Sequence, residues 1–246
     1  MKPTIAFTGG HHNSALEVAK ILQREGYPII WIGHKFNFKG DKSLSAEYQE
    51  ITRAGFRFFE LKAGRFYHKF DPLEWIKIVF GFFQAFVYLL KYRPKLIFAS
   101  GGYLAVPVVI TGWFLGIPSI THEQTVVSGW ANKAVAPFVK KILLTHESSL
   151  PNYPREKSQV VGLPIRKELL EAKYTKKYDP KLIYVSCGKQ GSHIINKALF
   201  PILPELVRHF TVIHQTGAST LTKDIDRARR IKEKLGEYKD RYSYAP

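Results

Sequence analysis

The stretch 7–22, FTGGHHNSALEVAKIL, decides the fold. A short apolar segment, residues 4–8, runs into Gly9 and Gly10, and from Ser14 onward apolar residues recur at helical spacing. Strand, glycine turn and amphipathic helix, in that order, open a βαβ unit. The glycines let the backbone turn sharply and approach a ligand held at the helix N-terminus. An anionic group is the expected guest. The alternative is an ordinary tight turn with Asn13 or Ser14 as helix cap, because two glycines alone are a weak fingerprint.

Outward from this stretch the same alternation continues. Residues 4–8, 29–33, 96–100, 119–122 and 141–145 read as short buried strands, and residues 14–25, 46–54, 73–92 and 105–115 as helices. Such alternation predicts an α/β fold with a parallel sheet and helices on both faces. After VVGLPIRKELL (160–170) the theme of strand and glycine turn starts again in KLIYVSCGKQGSHIINKAL and FTVIHQTGAS, so a second unit is expected. The boundary is placed near Gly162, giving domains 1–161 and 162–246. The closing DIDRARRIKEKLGEYKDRY (224–242) reads as one solvated, charged helix.

A chain of 246 residues, 45% of them apolar, supports real cores. Cys187 is its single cysteine, which excludes an intrachain disulfide, and residues 1–30 lack the pattern of a secretory signal; a cytoplasmic location is expected. With 37 Lys+Arg against 20 Asp+Glu the formal charge is +17, which attracts polyanions. The aromatic residues lie in apolar runs rather than among the basic ones, which argues against nucleic acid as partner. The most apolar run, LEWIKIVFGFFQAFVYLL (73–90), is interrupted by Glu74, Lys77 and Gln84 and is not expected to span a bilayer. As a helix it carries Lys77, Gly81, Gln84, Tyr88 and Lys91 on one narrow stripe and is apolar elsewhere. Two readings stay open: a helix buried on all sides, or one whose Trp75, Phe82, Phe83 and Phe86 enter an anionic membrane surface flanked by Lys77, Lys91, Arg93 and Lys95.

Three further turns follow expected strands. SGGYLAVP (100–107) repeats the glycine-turn pattern. In THEQTVVSGWANKAV (121–135) the consecutive His122, Glu123 and Gln124 suit a hydroxyl-rich ligand, or else cap local backbone. A zinc helix is excluded because Val126 stands where the second histidine would be. SCGKQGSH (186–193) resembles a phosphate-cradling loop without the ending of a P-loop, and Cys187 reads as packing rather than nucleophile.

Six segments in order, TGGHHNSALEVA, GGYLAVP, HEQT, GLPIR, CGKQGS and HQTG, resemble the MurG-type N-acetylglucosaminyltransferases of bacterial peptidoglycan synthesis, across essentially the whole chain. The resemblance implies a GT-B architecture of two Rossmann-like domains. It implies transfer of N-acetylglucosamine from UDP-N-acetylglucosamine to undecaprenyl-pyrophosphoryl-MurNAc-pentapeptide, with inversion, at the cytoplasmic face of the membrane, without metal or cofactor. It implies that Thr8, Gly9, Gly10, Gly101, Gly102 and Tyr103 grip the acceptor diphosphate through backbone amides. His11 would be the general base, and His12 would point elsewhere. His122, Glu123, Gln124 and Thr125 would line the cleft, and Arg166, Gly188, Lys189, Gln190 and Gly191 would meet the donor. Phe7, Thr125, Leu163 and Lys189 depart from the family pattern, so altered acceptor and donor contacts are expected there. YSYAP at 242–246 falls before the family's segment for uracil, ribose and sugar, so this chain is expected to have little activity alone. The alternative is a non-catalytic, membrane-docked acceptor-binding subunit that needs a donor-domain partner chain.

Overall fold

The computed structural model describes residues 2–36, 44–64, 72–172, 177, 180–186, 188 and 191–246. They divide into two compact units, Met1–Lys35 with Glu47–Ala172, and Phe36–Ala46 with Lys173–Pro246.

In the first unit, strands β1 (Ile5–Thr8), β2 (Ile29–Gly33), β3 (Arg57–Glu60), β4 (Leu96–Ala99), β5 (Ser119–Glu123), β6 (Lys141–Leu144) and β7 (Ser158–Val160) form one sheet. Its order is β3-β2-β1-β4-β5-β6-β7, and every pairing is parallel. The helices are α1 (His12–Arg24), α2 (Ala46–Arg53), α3 (Pro72–Tyr92), α4 (Ala105–Phe114), α5 (Trp130–Val135) and α6 (Lys167–Glu171). The expected strands and helices of this unit are present to within two residues at each end. The edge strands β3 and β7 and the short α5 were not expected. RFFE and SQV are too brief, and too polar at their ends, to announce strands.

Successive strands run outward from β1 to β3, and the chain then returns to the other side of β1 as β4, so the order reverses between β1 and β4. Ligands of open parallel sheets bind at such a switch point, beyond the carboxyl ends of the strands. The register pairs Thr8 with Ala99, and the two glycine turns therefore leave the sheet side by side.

Alternate residues of the central strands feed two cores. Ala6, Ile30, Ile32, Ile97 and Ala99 pack with Ala85 and Leu89 of α3 and with α4 and α5. Ile5, Phe7, Ile29, Trp31 and Phe98 pack with Ala15, Leu16 and Ala19 of α1 and Ile51 of α2. Phe7 lies fully buried between Trp31, stacked at 5.5 Å, and Phe98, at 5.1 Å. The expectation that Phe7 alters an acceptor contact is therefore corrected: its side chain fills the core.

The first unit runs on to Ala172, past the boundary expected at Gly162. Val161 and Gly162 donate their amides to the Leu144 carbonyl at 2.9 and 3.3 Å, which ties this segment to the end of β6.

Helix α3 buries Ile78, Ala85 and Leu89 and also turns the middle of its polar stripe toward the protein: Gln84 Oε1 accepts from the Lys62 amide at 2.8 Å and the Tyr88 hydroxyl donates to the Glu60 carbonyl at 3.0 Å. A Cβ on Gly81 would lie 2.9 Å from that of Ala63. Trp75, Ile76, Val79, Phe80, Phe83 and Phe86 are exposed, whereas Phe82, expected among them, packs against the core. By length and composition alone the window Trp75–Tyr92, of mean hydropathy 1.3, is long and apolar enough to cross a membrane, a test that the core helix of a soluble protein also passes.

In the second unit β8 (Leu182–Ser186), β9 (Thr211–Gln215) and β10 (Tyr242–Ala245) form a parallel sheet in the order β10-β9-β8, with α7 (His193–His209) and α8 (Asp224–Glu233). Phe200, Leu203, Val207, Val212, Ala228, Leu235 and Tyr242 make its core. The single charged helix expected over 224–242 is instead α8, a 3-10 turn at Gly236–Arg241 and the start of β10. Tyr242 is drawn inward because its ring is buried and its hydroxyl meets His214 at 3.0 Å.

Replacing Phe7 by alanine leaves a cavity between two aromatic rings. Urea unfolding is expected to show a loss of about 3–5 kcal/mol, the usual cost of truncating a buried phenylalanine.

Candidate functional site

The two glycine turns of the first unit are stapled to each other. The Gly10 amide donates to the Gly101 carbonyl at 2.8 Å, the His11 amide to the Ser100 carbonyl at 3.4 Å, and the Ser100 amide to the Thr8 carbonyl at 2.8 Å. Gly9 has φ +122°, and a Cβ there would lie 2.6 Å from the Gly101 oxygen; a Cβ on Gly102, at φ +76°, would lie 2.9 Å from the Gly10 nitrogen. Only glycine permits this approach at both positions. Gly10 differs, because a Cβ there meets only Gly102 Cα, at 3.8 Å.

This staple corrects one expectation. The amides of Gly10 and His11 are already used between the loops. The amides of Gly101 and Gly102 have no backbone acceptor among the described residues, and α1 begins directly after the first loop. That helix has no side-chain cap and no acidic residue in its first turn, so neither Asn13 nor Ser14 caps it. Ser14 instead donates to Gln124 Oε1 at 3.2 Å, joining the start of α1 to the turn after β5.

His11 is exposed at the N-terminus of α1, with its Cδ2 3.4 Å from where a Cβ on Gly101 would sit. His12 is buried and its Nε2 lies 3.2 Å from Glu50 Oε2. His122 is 3% exposed, and its Nε2 lies 3.1 Å from the Gly162 carbonyl and 3.3 Å from Thr145 Oγ1. Donation from Nε2 to that carbonyl fixes the tautomer and leaves Nδ1 as an acceptor. Burial holds His122 below its ordinary pKa, opposed by its bond to Gly162 and by Glu123, and reinforced by the nearby charge of His11.

Glu123 is 1% exposed, so its carboxylate does not line an open surface. Oε1 accepts from the Thr125 amide at 3.0 Å and lies 2.8 Å from the Thr125 hydroxyl. Oε2 accepts from the Gly129 amide at 2.8 Å, Asn132 Nδ2 at 3.0 Å and the Tyr153 hydroxyl at 2.8 Å. Burial raises the carboxyl pKa, but these donors outweigh it and bring it down to about 2. The same bond, with burial, raises the Tyr153 hydroxyl. Asn132 passes the constraint on: its Oδ1 accepts from Thr121 at 2.7 Å, and its Nδ2 lies 3.0 Å from where a Cβ on Gly101 would sit. Glu123 therefore shapes the turn after β5 and, through Asn132, backs the second glycine loop. Asn132, Tyr153 and Glu50 were not singled out in the sequence; the signal for Asn132 was a polar residue in the apolar run WANKAV.

Thr8 is buried, Tyr103 and Gln124 are partly exposed, and Thr125 is exposed. Arg166 lies in the first unit, where its Nη2 meets Asn13 Oδ1 at 3.3 Å and Glu50 Oε2 at 3.2 Å. In the second unit Gly188 and Gly191 have φ +72° and +73°, and Gly191 packs against the backbone of Thr216 and Gly217. Asn196 holds that turn, donating to the Thr216 carbonyl at 2.8 Å and to Asp224 at 2.9 Å, while its Oδ1 lies 2.9 Å from His214 Nε2. Cys187, Lys189 and Gln190 lie outside the described residues.

Residues 7–144 match the model of the glycosyltransferase family 28 N-terminal domain. The chain belongs to glycosyltransferase family 28. A relative from Staphylococcus carnosus is 34% identical over 238 residues, 91% of this chain and 64% of its own length. A relative from Bacillus cereus is 30% identical over 236 residues. Both bear the name UDP-N-acetylglucosamine--N-acetylmuramyl-(pentapeptide) pyrophosphoryl-undecaprenol N-acetylglucosamine transferase. This chain thus spans about 64% of the length of these relatives. Among solved structures, MurG of Acinetobacter baumannii matches with a TM-score of 0.59 at 19% identity, covering 99% of this chain and 65% of that one. The UDP co-structure of MnaA from S. aureus matches with a TM-score of 0.62 at 11% identity, over 99% and 68%. The fold class is the expected GT-B type: a Rossmann-like parallel unit followed by a second, smaller parallel α/β unit.

Acid should weaken the first unit in two stages. The depressed pKa of His122 favours the native state above the ordinary value of 6.5, and that contribution is lost as pH falls. Glu123 contributes above 4.5 and loses its contribution as pH falls towards about 2, a difference on the order of 3 kcal/mol. Glu123→Gln is expected to lower stability at pH 7, because an amide nitrogen faces donors there, and to flatten the loss below pH 4.5 in urea titrations.

Proposed function

We propose that this chain supplies the acceptor-binding unit, and the first part of the donor unit, of an inverting glycosyltransferase. The enzyme moves N-acetylglucosamine from UDP-N-acetylglucosamine to undecaprenyl-pyrophosphoryl-MurNAc-pentapeptide, forming lipid II for the cell wall. The names of the relatives support the reaction. The observation that carries the site is the pair of stapled glycine loops at the switch point between β1 and β4. The amides of Gly101 and Gly102 suit a diphosphate, each N–H giving a hydrogen bond, and the dipole of α1 adds a positive field.

His11 stands at the junction of the two loops and is exposed, so an acceptor hydroxyl can reach it. As general base it takes the proton of the C4 hydroxyl while that oxygen attacks the anomeric carbon and UDP leaves. Gly188 and Gly191 belong to the donor side in this reading. The alternative of a non-catalytic subunit with a separate donor chain is not favoured, since relatives matching 91% of this chain are named as the transferase.

Titration with a short-chain polyprenyl-diphosphoryl MurNAc-pentapeptide tests the site. Gly10→Val should fold normally, since the position has space, yet lose binding; unchanged affinity would remove the loop from the acceptor site. His11→Ala should keep binding and, where transfer is measured, lower turnover roughly 10²- to 10⁴-fold.

The outward face of α3 is proposed to dock on the cytoplasmic leaflet. Phe83 and Phe86 are 62% and 42% exposed, Trp113 and Phe114 at the end of neighbouring α4 are exposed too, and Lys91, Arg93 and Lys95 follow at the surface. Phe83→Ser with Phe86→Ser should reduce sedimentation with anionic liposomes, and salt should reduce it further. Equal binding by the folded double variant would refute docking through α3.

A further inference from the structure

Beside the glycine turn of the second unit lies a titratable cluster that the reaction above leaves unused. His193, the first residue of α7, follows that turn directly, and its Nδ1 lies 3.1 and 3.0 Å from the two oxygens of Asp224, the first residue of α8. Asp224 is 3% exposed, whereas the His193 side chain is 49% exposed. Asp224 also accepts from Asn196 Nδ2 at 2.9 Å and from the Thr222 side chain. These donors outweigh burial and hold its carboxyl below the ordinary value, so it stays ionised where histidines change charge. An ionised carboxylate only accepts, so Nδ1 of His193 carries a proton in either charge state of the ring.

A second proton on this half-exposed ring turns a neutral hydrogen bond into a charge-assisted one. The turn is already fixed on its other side, since a Cβ on Gly191 would collide with the backbone of Thr216 and Gly217. We propose that His193 and Asp224 form a proton-dependent clasp that ties the glycine turn 188–191 to α8 most firmly when the imidazole is charged, and that the donor diphosphate binds better to the clasped turn. The second half rests on the donor reading of this unit. Other charges near the pair are few. Lys197, one turn along α7, and Lys223, before Asp224, are exposed; Asp226 lies 3.8 Å from Arg229, and Arg227 lies over the Phe200 ring. β8 brings only the exposed Tyr184, while β9 and β10 bring His214 and Tyr242 behind Asn196. The charged 3-10 turn Gly236–Arg241 meets the opposite end of α7, where Arg241 donates to the Val207 and Arg208 carbonyls. His214 works in the opposite sense: burial, against the charge of Asp224, holds it below its ordinary pKa, so its contribution to stability is lost as pH falls.

His193→Gln keeps a donor for Asp224 and keeps His214, but cannot gain a charge, so the comparison with it isolates the clasp. Amide exchange by NMR on the 246-residue chain reads it at Gly191 and Asn196, whose amides donate to the Gly188 and Ser192 carbonyls. With rates divided by the intrinsic rate at each pH, the unaltered chain should gain protection over His193→Gln by roughly threefold to tenfold between about pH 8 and about pH 6, the worth of a charge-assisted bond at a half-exposed site. His193→Arg, charged throughout, should be protected equally at both. Unaltered chain and His193→Gln changing in parallel overturns the clasp. Calorimetric titration with UDP at the same two pH values reads the second half: affinity should rise towards pH 6 in the unaltered chain and not in His193→Gln. A clasp seen by exchange without that gain overturns its link to the donor, and a clasped chain that binds no UDP at either pH removes the donor reading while leaving the clasp in place.

Discussion

The hydrogen bond from the Gly10 amide to the Gly101 carbonyl, 2.8 Å long, joins two turns that lie about ninety residues apart in the chain, and the site is built around it. It can form only because the strand order reverses between β1 and β4, which sets the two turns at neighbouring strand ends, and because Gly9 and Gly102 bring no Cβ into the gap. Two further features of the first unit hold those strand ends still. The aromatic stack of Trp31, Phe7 and Phe98 packs behind β1 and β4 on one face, and the network of Glu123, Asn132, Thr121 and Tyr153 backs the second loop. Polar groups this deep are stabilising only when fully satisfied, and Glu123 meets that condition with donors on both oxygens.

The second unit repeats the device on a smaller scale. A glycine turn after β8 packs on the turn after β9, and a buried asparagine, Asn196, fixes the contact as Asn132 does in the first unit. In both, an amide side chain is suited to the task because it donates and accepts at once, and so can bridge a carboxylate to a hydroxyl or a ring nitrogen.

Much of this was legible in the sequence, and the failures share a cause. Buried parallel strands announce themselves as apolar runs, so β1, β2, β4, β5 and β6 could be read directly, whereas β3 and β7, at the edges, carry mixed residues. The glycine turns were legible as places of close approach, but which amides they leave free depends on pairing between distant segments. The resemblance separated His11 from its neighbour His12, and the physical difference between them, Glu50 beside His12, depends on the same pairing of distant segments. The stripe on α3 was read correctly as a pattern, but periodicity gives the faces of a helix without saying which one meets the protein.

Gly81 sits in the middle of that stripe, against Ala63, where a Cβ would lie 2.9 Å from that of Ala63. With a larger residue the helix would have to stand farther off, lifting the whole row of Trp75, Val79, Phe83 and Phe86 outward as a ridge. The height of the ridge, and so the depth to which it would sink among lipid chains, is set by a position that faces away from the lipid.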